Sequence, residues 1–161
     1  MLLTTFAVDT GLDVSATEQL LVFGLTALAA LLGGLLGIER EMANKSAGAR
    51  THMLVAASAA LVVGVGQLLF LSTNSGDPSR AMHAVLTGIG FLCAGAIIRR
   101  DSSIEGLTTA ASLWFAATVG IAIGFQLYIV GVGAALVGLV ILRGVAMLEG
   151  RDGGPGDGDD D

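Results

Sequence analysis

Residues 19–71 read QLLVFGLTALAALLGGLLGIEREMANKSAGARTHMLVAASAALVVGVGQLLFL. Two apolar runs, 19–38 and 53–71, flank a joint that gathers Glu39, Arg40, Glu41, Lys45, Arg50, Thr51 and His52. Each run supplies the ~20 mostly apolar residues that a helix needs to cross bilayer hydrocarbon. The joint is then either a solvated loop or the place where the chain does its work.

The rest of the chain repeats the pattern. A third apolar run extends from about Ala81 to Ile98, and Ala110–Leu148 carries no charge except Arg143. As one helix at ~1.5 Å per residue, that last run would be about 60 Å long, twice the hydrocarbon thickness. It must fold back, and Gly124-Phe125-Gln126 is the expected turn, which gives spans of about 109–124 and 127–148. The fold class is therefore all-α: a polytopic transmembrane helix bundle of about five spans. Residues 1–18 form an external N-terminal segment, 19–148 the membrane domain, and 149–161 an acidic tail.

Composition agrees with this reading. The chain is 53% hydrophobic and 14% charged, with a mean hydropathy of +0.80; a soluble domain carries about 25% charged residues. Gly is 24 of 161 residues, which suits helices whose backbones approach closely in lipid. The single cysteine, Cys93, excludes an intrachain disulfide, and no Cys/His spacing suits a metal site. No cofactor is implied. The net charge of −6 overstates the acidity of the bundle, because five of the fourteen acids follow residue 150. Nothing in the charge balance points to a nucleic-acid partner. Residues 1–18 contain no Lys or Arg, so no secretory signal peptide is expected. The tail RDGGPGDGDDD has no apolar residue and is expected to stay disordered and solvated.

Charge also predicts orientation. With five spans, the segments around 39–52, 99–108 and after 143 share one side and hold seven of the eight basic residues. The other side holds Arg80 alone, with Asp9, Asp13 and Glu18. Basic residues in short loops stay cytoplasmic, so the N-terminus is expected outside and the C-terminus inside a plasma-membrane protein.

Gly33-x-x-x-Gly37 and Gly120-x-x-x-Gly124 each match the small-residue packing motif, within the bundle or between copies of a homo-oligomer. Gly88, Gly90 and Gly95 give the third span a smooth side suited to packing on another helix. Gln67 and His83, toward the outer ends of their spans, can pair across helices. Thr108 or Thr109 can N-cap the fourth span. Glu41 and Lys45 are four apart, in the favourable order for a helical ion pair. No Asp, Glu, Lys or Arg sits inside a span before Arg143, which counts against a proton-coupled carrier. No nucleophile–base pair or metal-ligand set emerges, so no catalytic residue is assigned and an enzyme is not expected.

Two charged segments of mixed sign remain. Glu39, Arg40, Glu41, Lys45, Arg50, Thr51 and His52 face the same compartment as Arg99, Arg100, Asp101, Glu105, Thr108 and Thr109. Together they can form a cytoplasmic platform, or they are loops that only set topology. The arginines suit lipid phosphate or a partner's carboxylates; the acids suit a divalent cation or basic residues.

The stretches GIEREMANKSAGARTHMLV (37–55), GIGFLCAGAIIRR (88–100) and EGLTTAASLW (105–114) together resemble the membrane domain of the MgtC/SapB family. The resemblance runs from about residue 18 to 148, with three motifs in order. It implies a small five-span bundle linked to survival in low magnesium and acid stress. It further implies a regulator of other membrane proteins, the F-type ATP synthase among them, rather than a magnesium carrier. The family positions fall on Gly37, Glu39, Arg40, Lys45, Gly48, Arg50, Thr51 and His52, then Gly88, Gly90, Phe91 and Gly95. They continue through Gly106, Leu107, Thr108, Thr109 and Trp114. Cys93 stands where the family pattern has Gly, and Ala49 where it has a larger apolar residue. Longer relatives carry a soluble C-terminal domain where this chain has its acidic tail. The expected function is a non-enzymatic membrane regulator, and the alternative is a Mg²⁺ transporter or channel.

Overall fold

The computed structural model describes residues 14–100 and 103–152. The segment before residue 14, Asp101 and the tail from residue 153 lie outside the described residues, as does the side chain of Arg100. The chain is an all-α membrane bundle of five helices: α1 (Ala16–Met42), α2 (Ala49–Thr73), α3 (Ser79–Ala96), α4 (Leu107–Gly124) and α5 (Tyr128–Asp152). Helices α1, α2 and α4 are each long and apolar enough to cross a membrane. α1 has 27 residues, about 40 Å of helix, which exceeds the hydrocarbon thickness of ~30 Å.

Local chemistry sets the ends. Ser15 and Glu18 form a capping box at the start of α1: the Ser15 hydroxyl accepts from the Glu18 N–H, and Glu18 accepts from the Ser15 N–H at 2.8 Å. At its other end, Asn44 turns left-handed (φ 54°) and donates to the Glu41 carbonyl, while Lys45 donates to the Arg40 carbonyl, each at 3.0 Å. This is a Schellman closure. The same closure ends α4. Gln126 (φ 62°) donates to Ile123, and Leu127 to Ala122, so the long apolar run folds back at the expected place.

The core lies where α1 and α4 close on α2. A methyl group at Gly33 would stand 2.7 Å from the Ala56 Cβ, and one at Gly37 2.6 Å from the Ala49 Cα. One at Gly120 would stand 2.9 Å from the Ala59 Cβ, and one at Gly124 2.9 Å from the Ala60 carbonyl oxygen. Both glycine motifs thus dock on one alanine-rich stretch of α2, whose Ala56, Ala59, Ala60 and Val63 are fully buried. Lipid supplies no hydrophobic drive between helices, so this backbone approach and its dispersion contacts hold the trio together.

Three features depart from expectation. Residues 98–105 are not a plain loop but an antiparallel hairpin, β1 (Ile98–Arg100) paired with β2 (Ser103–Glu105), with Arg99 opposite Ile104. The N-cap of α4 is Gly106, not Thr108 or Thr109, and makes no side-chain cap bond. Its φ of 85° is a backbone state that side chains rarely adopt, and a methyl there would collide with the Ala96 carbonyl at the end of α3. Finally, Gln67 and His83 do not pair. His83 Nδ1 bonds the Ser79 carbonyl one turn back at 2.8 Å, and Gln67 Oε1 is buried with no partner among the described residues.

Candidate functional site

One end of the bundle collects the end of α1, the start of α2, the hairpin and the start of α4. Most of the charged residues flagged by sequence fall there, but the structure sorts them into separate groups. Glu39, Arg40, His52 and Thr109 are buried, and Ser112 joins them. Glu41, Lys45, Arg50, Thr51, Arg99, Glu105 and Thr108 are exposed.

His52 sits in the first turn of α2 and is wholly shielded, at 0% exposure. Its Nδ1 lies 3.0 Å from the Gly48 carbonyl, and its Nε2 lies 3.0 Å from Ser112 Oγ on α4. A carbonyl can only accept, so Nδ1 carries a proton and donates to it. Ser112 Oγ also reaches the Thr109 carbonyl at 2.8 Å, so its single proton has two acceptors. With the ring neutral, the hydroxyl donates to Nε2. With a second proton on the ring, Nε2–H donates to the hydroxyl, which donates onward to Thr109. Either state leaves His52 with both nitrogens bonded, so the ring is a fixed cross-link between α2 and α4.

The sequence offered no serine–histidine pair; the fold makes one. Ser112 was missed because a hydroxyl inside an apolar helix commonly bonds its own backbone, as it does to the Thr109 carbonyl. Its signal lay in the spacing, since Thr108, Thr109 and Ser112 recur at i, i+1 and i+4 and mark one polar stripe.

Glu39 and Arg40 form the one ion pair among the described residues, Nε to Oε2 at 3.5 Å, with each side chain more than nine-tenths buried. Neither of those two atoms has a hydrogen-bond partner there. At that separation, with no hydrogen bond between those atoms, the two groups are in Coulombic contact without a shared proton. The anticipated helical pair of Glu41 with Lys45 does not form. α1 stops at Met42, and Glu41 Oε2 instead accepts from the Ala49 N–H at 3.1 Å, closing the start of α2.

A cavity of about 530 Å³ opens at this end. Arg40 and Lys45 line it from α1 and its closing turn, Gly106, Thr108 and Thr109 from the start of α4, and Ile141 from α5. A smaller apolar cavity of about 170 Å³ between α1, α4 and α5 shares Thr108, Ile141 and Leu142 with it, and Ser112 and Phe115 complete its wall. Glu39, Glu41 and Glu105 do not converge: among the described residues, no three acidic, histidine or cysteine side chains stand close enough to hold a metal ion.

The third-span glycines behave differently from the other four. A methyl at Gly88, Gly90 or Gly95 would meet nothing within 4 Å, and Phe91 beside them is 83% exposed. On its inner side, α3 is fastened to α4 by the Cys93 thiol, which donates to the Ala110 carbonyl at 3.2 Å.

Comparison with known proteins places these features in a lineage. The chain is 41% identical over 121 residues to the Escherichia coli (strain K12) protein named "Putative magnesium transporter YhiD", covering 72% of this chain and 56% of that one. It is 42% identical over 132 residues to Protein MgtC of Brucella abortus (strain 2308), covering 74% of this chain and 53% of that one. With Protein MgtC of Salmonella typhimurium (strain LT2), identity is 42% over 110 residues, 66% of this chain and 46% of that one. The chain thus spans about half the length of the curated relatives it matches. No solved structure matches it. The model of the MgtC family matches residues 26–151, from within α1 to the last turn of α5 and including both charged segments, and the chain belongs to that family.

Proposed function

We propose that this chain is a non-enzymatic regulator in the plasma membrane, with its charged end in the cytoplasm, that docks on another membrane protein during adaptation to low magnesium or acid stress. The observation that supports it best is the open glycine face of α3. Gly88 and Gly95, seven positions apart on one side of α3, leave a smooth strip beside exposed Phe91, whereas the other paired glycines are filled from within the bundle. Small-residue strips let a partner helix approach closely. The seven-to-one division of basic residues supports the orientation, and the physiological setting is the one that the family resemblance implies. By the family resemblance, the F-type ATP synthase is the first partner to test.

A Cβ at Gly88 or Gly95 meets nothing within 4 Å, and each borders an open groove, so Gly88→Leu and Gly95→Leu should leave the bundle intact. In native membranes they should abolish co-purification with the ATP synthase that the unaltered chain captures. Failure of the unaltered chain to capture it removes that partner. Equal capture by both leucine variants removes α3 as the docking face.

Magnesium transport is the second reading, and it draws on the name of the Escherichia coli relative. The exposed Glu41 and Glu105 would then each offer a separate carboxylate to hydrated Mg²⁺, which binds through few carboxylates and keeps its waters. Purified protein in liposomes under a Mg²⁺ gradient decides this, and absence of flux sinks it.

A further inference from the structure

We infer that the cavity at the charged end is a phosphate-binding site, built from Arg40, Lys45 and the first turn of α4. Three independent features meet there. Arg40 is 95% buried, reckoned from its 5% exposure; its side chain makes no hydrogen bond among the described residues, and it lines the cavity. A buried guanidinium with only the Glu39 carboxylate beside it, at 3.5 Å, is under-satisfied, and an anion in the cavity would give the part of it that faces the cavity a charged partner. Second, α4 is an 18-residue helix whose N-cap, Gly106, supplies no side chain to its first N–H groups. Those groups and the positive end of the helix dipole therefore remain for an anion. Third, the Schellman turn holds the Lys45 backbone on the Arg40 carbonyl, which puts a second cation on the same cavity wall. Thr108 and Thr109 add two hydroxyl-bearing residues to the lining.

The cavity's neighbour bears on the source of the phosphate. The apolar cavity shares Thr108, Ile141 and Leu142 with it, so a phosphate at the polar end has an apolar recess beside it. A lipid headgroup and free inorganic phosphate would present the same oxygens to Arg40, and experiment separates them. The site stands whether or not a protein docks on α3.

The test uses the full chain, purified and placed in phosphatidylcholine nanodiscs. One arm titrates inorganic phosphate and follows the ³¹P line and the melting temperature. The other arm replaces part of the lipid with phosphatidylglycerol and counts lipids retained in native mass spectrometry. Saturable binding in the first arm identifies free phosphate, and retention of phosphatidylglycerol in the second identifies a lipid. In whichever arm binds, Lys45→Gln should weaken binding about tenfold, as loss of one charged contact does. Lys45 is exposed, so this variant should fold; Arg40→Gln should weaken binding further. Arg50→Gln, which removes an exposed charge not among the cavity's lining residues, should leave binding unchanged. The proposal is overturned if neither arm binds, if Lys45→Gln binds as the unaltered chain does, or if Arg50→Gln weakens binding equally.

Discussion

His52 Nε2 lies 3.0 Å from Ser112 Oγ and ties the first turn of α2 to the second turn of α4, 60 positions apart in the chain. The bond sits just beyond the glycine contacts, so it fixes the rotation of two helices whose smooth faces would otherwise permit sliding. Ser112→Ala should lower stability by about 1 kcal/mol, because interhelical bonds in membranes are modest and the orphaned Nε2 adds its own cost. His52→Ala should cost more, since it also empties a buried site. A double-mutant cycle on the two should show coupling of about 0.5–1.5 kcal/mol. Additive losses in thermal unfolding would refute the cross-link.

The glycines divide into two classes by what a methyl would meet. Gly120→Ala drives a Cβ into the backbone of Ala56 and to 2.9 Å from the Ala59 Cβ. The loss expected is about 1–3 kcal/mol, as for other over-packed cores. Gly88→Ala meets nothing and should be neutral or stabilising by up to about 1 kcal/mol through helix propensity. Melting temperatures of the two variants in the same detergent test the division; equal losses would contradict it.

These positions also show which parts of the fold could be read without coordinates. Five helices were legible as apolar runs, three of them long and apolar enough to cross a membrane, and the turn at 124–126 because one helix cannot be twice the bilayer's thickness. The partners of the glycines were not legible. Gly33, Gly37, Gly88 and Gly120 look alike in sequence, and only the packing of α2 separates filled from open ones. The hairpin at 98–105 escaped because three-residue strands carry no periodicity, and an isolated two-stranded hairpin is marginal without the helix ends that hold it. The charged cluster was found as a cluster, but its division into buried Glu39, Arg40 and His52 and exposed Arg50 and Arg99 depends on how far α1 and α2 overrun the loop.

Glu39 and Arg40 should respond asymmetrically to single and double replacement. Arg40→Met leaves a buried carboxylate alone, and Glu39→Gln leaves a buried guanidinium with less compensation. Removing one partner of such a pair costs about 3–5 kcal/mol. The double variant should recover part of that loss, because no unpaired charge remains buried. Chemical unfolding of all three proteins tests this. A double variant as unstable as the sum of the singles would show that the 3.5 Å contact carries no weight.

At the opposite end, Asp77 accepts from the Ser79 hydroxyl at 2.8 Å and from its N–H at 2.9 Å, bonds that hold its carboxyl below the usual value of 3.8. The folded value lies below the unfolded one, so the stabilisation is present above about pH 4 and is lost as pH falls through the folded value. Asp77→Asn should therefore make stability flatter on acidification, while leaving the charged end untouched. A pH series of unfolding midpoints tests it, and an unchanged acid limb would show that the bonds from Asp77 to Ser79 just before α3 are irrelevant.

Gly106 joins the hairpin to α4 and forms part of the cavity wall, so its replacement should act on both. Gly106→Ala must hold a side chain at φ 85° and against the Ala96 carbonyl. The left-handed backbone alone costs about 1–2 kcal/mol. The collision then pushes the start of α4 away from the end of α3, and with it Thr108 and Thr109, which line the cavity beside Arg40. Gly95→Ala, in open space on α3, controls for the added methyl. The expected outcome is a lower melting temperature for Gly106→Ala together with increased hydrogen exchange at 107–110, and neither change for Gly95→Ala. Exchange at 107–110 that stays as slow as in the unaltered chain would mean that the junction relaxes elsewhere and that α4 is not held in place by the close approach of Gly106 to Ala96.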